Sequence, residues 1–170
     1  MANEEKFKKY VHEGRVTPSR SAFKIKLFLK KGENSLLIAR QLKERTPKRD
    51  DPGRIYYDYW TITIAYYSML YCAKALILMK GYEVHDHDAA HIALSHLCVP
   101  GQIEREDLEL LDQSYRIFEE EYVSYFADAK RESHIARYAA IKTYSARRVE
   151  EIYTNAKRFV TKIGLLLQEK

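Results

Sequence analysis

Between Ile55 and Met79 the chain carries only two formal charges, Asp58 and Lys74, together with six tyrosines. A stretch that long and that apolar belongs either in a bilayer or at the centre of a helical protein. Its periodicity is helical. Ile55, Tyr59, Ile62, Tyr66, Met69, Ala73 and Leu76 recur in steps of three and four, and Tyr56, Trp60, Ile64, Tyr67, Tyr71 and Leu78 make a second apolar stripe. A helix apolar on most sides is buried by neighbours all round. Asp58, Lys74, Thr61, Thr63, Ser68 and the tyrosine hydroxyls argue against a membrane span, because lipid offers those groups no partner. Gly81 is the expected residue just past the helix, with Lys80 at the negative end of its dipole.

Around this helix the chain reads as all-α, an antiparallel four- to five-helix bundle. Its length suits one domain with a sizeable core. Hydrophobic residues at 46% and charged residues at 31% describe a globular protein, and the six glycines and four prolines fall between helical patterns. Residues 1–16 read as a basic lead-in and residues 17–170 as a single helical domain. Thr17-Pro18 predicts a helix start. The helix that follows, through Phe23, Ile25, Leu27 and Phe28, meets Gly32 and resumes to Leu42, as one kinked helix or two. Thr46 to Gly53 is a loop. Asp86 predicts the cap of a short helix ending near Leu97, closed by Pro100-Gly101. From Arg105 a long helix shows Leu108, Leu111, Tyr115, Phe118, Tyr122, Tyr125 and Ala129 on one face. The last helix, from about Ser145 to Gln168, uses Val149, Ile152, Ala156, Phe159, Ile163 and Leu166 in the same way.

The opening Met1-Ala2-Asn3-Glu4-Glu5 is polar, and Cys72 and Cys98 have no metal-ligand spacing. Both point to a reducing, cytoplasmic setting without a secretory leader. Charge is segregated along the chain. Residues 1–31 hold nine Lys and Arg against three acids, residues 130–170 hold ten against four, and residues 32–129 hold ten against seventeen. Basic ends around an acidic centre fit a polyanion-binding surface, and equally the solvated faces of Lys-rich helices.

A histidine cluster follows the central helix: His85, His87, His91 and His96, with Asp86 and Asp88 among them. His87 and His91 stand one helical turn apart, the spacing of a chelating pair. His96 is out of phase, and no Glu-x-x-His partner completes a bundle metal site, so structural or surface histidines are the better reading, with no metal and no cofactor. Most of the fourteen tyrosines sit at core spacing. Tyr10 and Tyr144, next to basic residues, are the candidates for stacking on a base.

The string from Ala65 to Gly81, Ala-Tyr-Tyr-Ser-Met-Leu-Tyr-Cys-Ala-Lys-Ala-Leu-Ile-Leu-Met-Lys-Gly, resembles the core helix of HEPN-domain proteins, in which A-Y-Y-A-M-F-x-A-A-K-A-L-L-L-x-K-G precedes a histidine and a short helix. His87 falls near that histidine's place. Downstream, Arg131-Glu132 with Ala136-Arg137-Tyr138 resembles the family's R-E-x-x-x-A-D-Y element, with Arg137 where Asp is usual. Ala156-Lys157-Arg158-Phe159-Val160 is similar to its last helix. The resemblance covers about residues 33–168.

It implies an HEPN-like up-and-down bundle, a homodimer, nucleotide or RNA binding, and a small nucleotidyltransferase as toxin–antitoxin partner. The family's ribonuclease signature is an Arg followed, after four to six residues, by a His. From Arg131 those positions hold Ala136, Arg137 and Tyr138. His134 comes earlier, although Arg131, His134 and Tyr138 share one helix face. Two functions therefore stand. The first is a non-catalytic nucleotide- or RNA-binding protein using Lys130, Arg137, Lys142, Arg147 and Arg148. The second is a metal-independent endoribonuclease using Arg131 with His134 or Tyr138, where an imidazole would move the proton and the guanidinium would grip the phosphate. A structural dimerisation module is the third class, with the acidic middle as its contact face.

Overall fold

The computed structural model describes residues 2–48, 50–129 and 135–168. In chain order these form α1 (Ala2–His12), β1 (Val16–Pro18), α2 (Ala22–Glu44), α3 (Arg54–Met79), β2 (Tyr82–Val84), α4 (His87–Leu97), α5 (Arg105–Ala129) and α6 (Ile135–Gln168). The fold is helical, as the periodicity predicts. It has six helices among the described residues where four or five are expected, and it adds a small two-stranded antiparallel sheet.

The apolar helix α3 is the axis. α2, α4, α5, α6 and β2 all pack on it. Ile62, Ala65, Tyr66, Met69, Ala73 and Leu76 are at most 2% exposed. One helix, Tyr56–Met79, is long and apolar enough to cross a membrane, and 67% of its most apolar window is buried inside the fold. That is the pattern of a core helix. The second stripe is covered only where neighbours reach it. Leu78 is buried, whereas Tyr56, Trp60 and Tyr67 remain 51%, 53% and 39% exposed. Tyrosine and tryptophan tolerate this because each carries a polar tip.

Gly32 has a different use from the predicted kink, since α2 runs unbroken from Ala22 to Glu44. A Cβ at Gly32 would collide with Cys72 Sγ and stand 2.9 Å from the Ser68 carbonyl oxygen. The missing side chain is what lets α2 cross α3 at backbone contact distance. Cys72 and Cys98 are free and buried, and burial pushes their thiols up to about 12 and about 11.

Three boundaries differ from the sequence reading. Thr17-Pro18 is strand, not helix start: Val16 to Pro18 pairs with Val84 to Tyr82, and the next bond runs from Ser19 N to Gly81 O at 2.9 Å. A terminal Pro costs such a short strand little. Ser21 then caps α2, accepting from Lys24 N at 3.2 Å. The expected lead-in is instead the helix α1, docked through Phe7, whose ring meets Tyr82 edge-on at 5.2 Å and His96 at 4.6 Å. Finally, α6 begins ten residues before Ser145, at Ile135. The added segment contains neither Gly nor Pro and includes three alanines, so nothing in it stops a helix.

The end of α3 follows the sequence reading. Gly81 takes φ +88°, a left-handed conformation that turns the chain into β2. Asp86 then caps α4, accepting from Ala89 N at 2.9 Å. α1, the sheet and α4 thus gather on the C-terminal part of α3, and α5 passes beside them.

Candidate functional site: a histidine–aspartate cleft

Three helices turn one face each toward a common cleft of about 410 Å³. α1 contributes Asn3, Lys6 and Tyr10, α4 contributes His87 and His91, and α5 contributes Asp112, Tyr115 and Arg116. Within each helix these positions follow steps of three and four, so each set lies on one side.

The floor is rigid. The ring of His87 stacks on Tyr115, with centroids 3.7 Å apart and planes 10° from parallel. Its Nδ1 lies 3.2 Å from the hydroxyl of Tyr66, and its Nε2 lies 3.4 Å from Asp112 Oδ1. Burial raises the Tyr66 phenol, so the hydroxyl keeps its proton and donates to Nδ1. The neutral imidazole then carries its own hydrogen on Nε2, facing Asp112. Tyr66 also stacks on Phe118 at 4.6 Å, which ties the floor into the core under α5.

The rim is open. His91 sits one turn after His87 with its Nδ1 2.7 Å from the same Asp112 oxygen, and its side chain is 31% exposed. Asp112 therefore serves two imidazoles. Burial alone would raise its carboxyl, but the hydrogen bonds from His87 and His91 outweigh that and hold it at about 2. A carboxylate ionised at neutral pH accepts only, so His91 Nδ1 carries the hydrogen there. In neutral His91 this leaves Nε2 with a bare lone pair, and no described group engages it. Lys6 and Arg116 stand exposed at the edge, and neither has an ion-pair partner among the described residues.

Arg15 holds the walls together. It grips Asp86 with two hydrogen bonds, Nη2 to Oδ1 at 2.6 Å and Nε to Oδ2 at 3.1 Å. It also reaches Asp88 at 3.5 Å, and its guanidinium lies 4.0 Å from the Tyr10 ring centroid. Asn3 adds a 2.6 Å bond to Ser95. Asp88 shares that guanidinium with Asp86 and stays exposed, so the cleft mouth carries an acid as well as Lys6 and Arg116.

Of the histidines singled out from sequence, His87 and His91 come together through Asp112, His96 packs on Phe7, and His85 is exposed and apart from the cleft. Among the described residues no group of three or more His, Cys, Asp or Glu is placed to hold a metal ion. Tyr10 lines the cleft as a stacking candidate should, although Arg15 covers one of its faces.

Lys130, Arg131 and His134 lie outside the described residues. Arg137, Tyr138, Lys142 and Tyr144 fall on α6 with side chains that also lie outside them. Arg147 is exposed on α6, and Arg148 is engaged with Glu120 of α5. The sequence reading missed Lys6, Asp112 and Arg116 and assigned Tyr115 to the core. The His87/His91 spacing and the choice of Tyr10 pointed toward the cleft; nothing local links His91 to an aspartate twenty-one residues on.

No protein-family model matches this chain, and no curated protein does.

Proposed function

We propose that this chain is an HEPN-like, cytoplasmic protein that binds RNA or a nucleotide without cleaving it, and that the histidine–aspartate cleft is where it does so. One observation carries the reading: unpaired Lys6 and Arg116 flank a cleft walled by Tyr10, Tyr115 and two imidazoles. Cations suit phosphate and aromatic rings suit bases. A cleft of about 410 Å³ falls within the usual range for a small ligand, about 300–1,000 Å³. Arg147, Lys157 and Arg158 are exposed cations on α6. The family resemblance adds a homodimer and a nucleotidyltransferase partner to the proposal, to be sought by sedimentation and by co-purification.

The test is retention of a labelled single-stranded RNA across a salt series, beside the double variant Lys6→Ala/Arg116→Ala. Each phosphate contact on a single strand contributes about −0.7 to the slope of log affinity against log salt. The double variant should therefore flatten that slope by about 1.4. An unchanged slope would remove the cleft from the proposal, and no retention at low salt would remove RNA. Cleavage of the RNA in EDTA, lost in Arg131→Ala, would replace binding with the endoribonuclease that uses Arg131 with His134 or Tyr138.

A further inference from the structure

We infer that His91, oriented by Asp112, is a specificity-determining residue that reads the ribose 2′-hydroxyl of the bound strand. The inference rests on the cleft being the binding site and goes beyond it by assigning what the site distinguishes.

The argument is one of donors and acceptors. Lys6 and Arg116 can only donate, and the Tyr66 hydroxyl is buried and already spent on His87. Asp112 accepts from both imidazoles, and the carboxylates of Asp86 and Asp88 face Arg15. The bare Nε2 of His91 is thus a neutral ring acceptor, fixed in direction, in a cleft that also holds Lys6 and Arg116. The 2.7 Å bond at Nδ1 keeps it so, because the neutral ring cannot shift its hydrogen to Nε2 without leaving an ionised carboxylate facing a lone pair.

A ligand matched to this arrangement offers negative oxygens beside a neutral donor. Within a nucleic acid strand the phosphodiester supplies the first, and the 2′-hydroxyl is the sugar's only donor. A deoxyribose strand presents the same phosphates and bases but no sugar donor for His91. His87 cannot play this part, since both its nitrogens are engaged and its side chain is 10% exposed.

The experiment measures affinities of the full chain for a short oligouridylate, its 2′-O-methyl analogue and its deoxy analogue. It is run on the parent protein, on His91→Ala and on Lys6→Ala. One net hydrogen bond at a half-exposed site corresponds to about three- to tenfold in affinity. The parent should prefer the ribose strand by that factor over both analogues. His91→Ala should abolish the preference while still binding all three, and Lys6→Ala should weaken all three and keep the preference. Uridine 3′-monophosphate against its 2′-deoxy counterpart tells a free nucleotide from a strand: the same preference there assigns the hydroxyl reading to single nucleotides, and its confinement to the oligomers assigns it to RNA.

Equal binding of ribose and deoxyribose strands by the parent, or a preference that survives His91→Ala, overturns the inference and leaves the binding function standing. Absence of binding to every strand and nucleotide overturns both. His91 is partly exposed on the surface of α4, so its loss should leave the fold intact, and an unchanged melting curve verifies this.

Discussion

The floor and the rim of the cleft use the same residue types to opposite ends. His87 on the floor is held on both nitrogens and stacked on Tyr115, whereas His91 on the rim is held on Nδ1 alone. Both lean on one oxygen of Asp112. The difference follows from burial. A polar atom cut off from water must find a partner inside the protein, while one at the rim can keep a lone pair for a ligand. The floor is therefore architecture and the rim is chemistry, and substitutions should separate the two.

The largest effect belongs to the floor. Tyr66→Ala removes a 2%-exposed ring that touches His87, Tyr115 and Phe118 and should cost about 3–5 kcal/mol of stability by urea denaturation. A loss below 1 kcal/mol would mean that the floor is not part of the core. Next comes the direct contrast. His87→Ala forfeits a stacked pair and orphans the Tyr66 hydroxyl, about 2–4 kcal/mol together. His91→Ala should stay within about 0.5 kcal/mol, as surface changes do. Equal costs would dissolve the distinction.

Asp112 stands between the two regions, and its protonation sharpens the comparison. Its carboxyl is depressed to about 2 in the folded state, against about 3.9 in an unfolded chain. Its contribution is therefore fully present above about pH 4 and is lost as pH falls toward 2. The unfolding free energy from urea denaturation across that window should drop by about 1–2 kcal/mol more in the parent than in Asp112→Asn. Parallel pH curves would show that the two imidazoles do not hold the carboxylate in solution. The smallest effect on stability is expected at the outer edge, where Lys6→Ala and Arg116→Ala should each change the unfolding free energy by less than about 0.5 kcal/mol.

Much of the fold was legible because its determinants are local. Periodic apolar residues mark α3, α5 and the body of α6, Asp86 marks the cap of α4, and Gly81 marks the end of α3, each acting within a turn or two of chain. The misread segments are those where a distant partner overrode a local preference. Thr17-Pro18 has the form of a helix start, yet Tyr82 to Val84 offers it a ladder, and Ser21 supplies an equally good cap a few residues on. Residues 2–12 show no strong core stripe, but Phe7 finds a pocket between Tyr82 and His96, with Tyr10 and Val11 packed beside it on the core. Gly32 reads as a kink because the sequence does not show Cys72 and Ser68 passing beneath it. The cleft was half visible: the spacing of His87 and His91 could be seen, their shared carboxylate could not.

That the stripe of Ile62, Tyr66, Met69, Ala73 and Leu76 is the buried face of a core helix could be read from residue order alone, since few charges and a helical repeat mark it. So could the short capped helix carrying two histidines one turn apart. Which histidine would be locked and which left open was decided by packing. α5 brings Asp112 and Tyr115 against α4 from more than twenty residues away, and α1 brings Lys6 and Tyr10 from more than seventy. Contacts between such distant segments depend on how whole helices settle against α3, and that arrangement leaves no periodic trace in the chain.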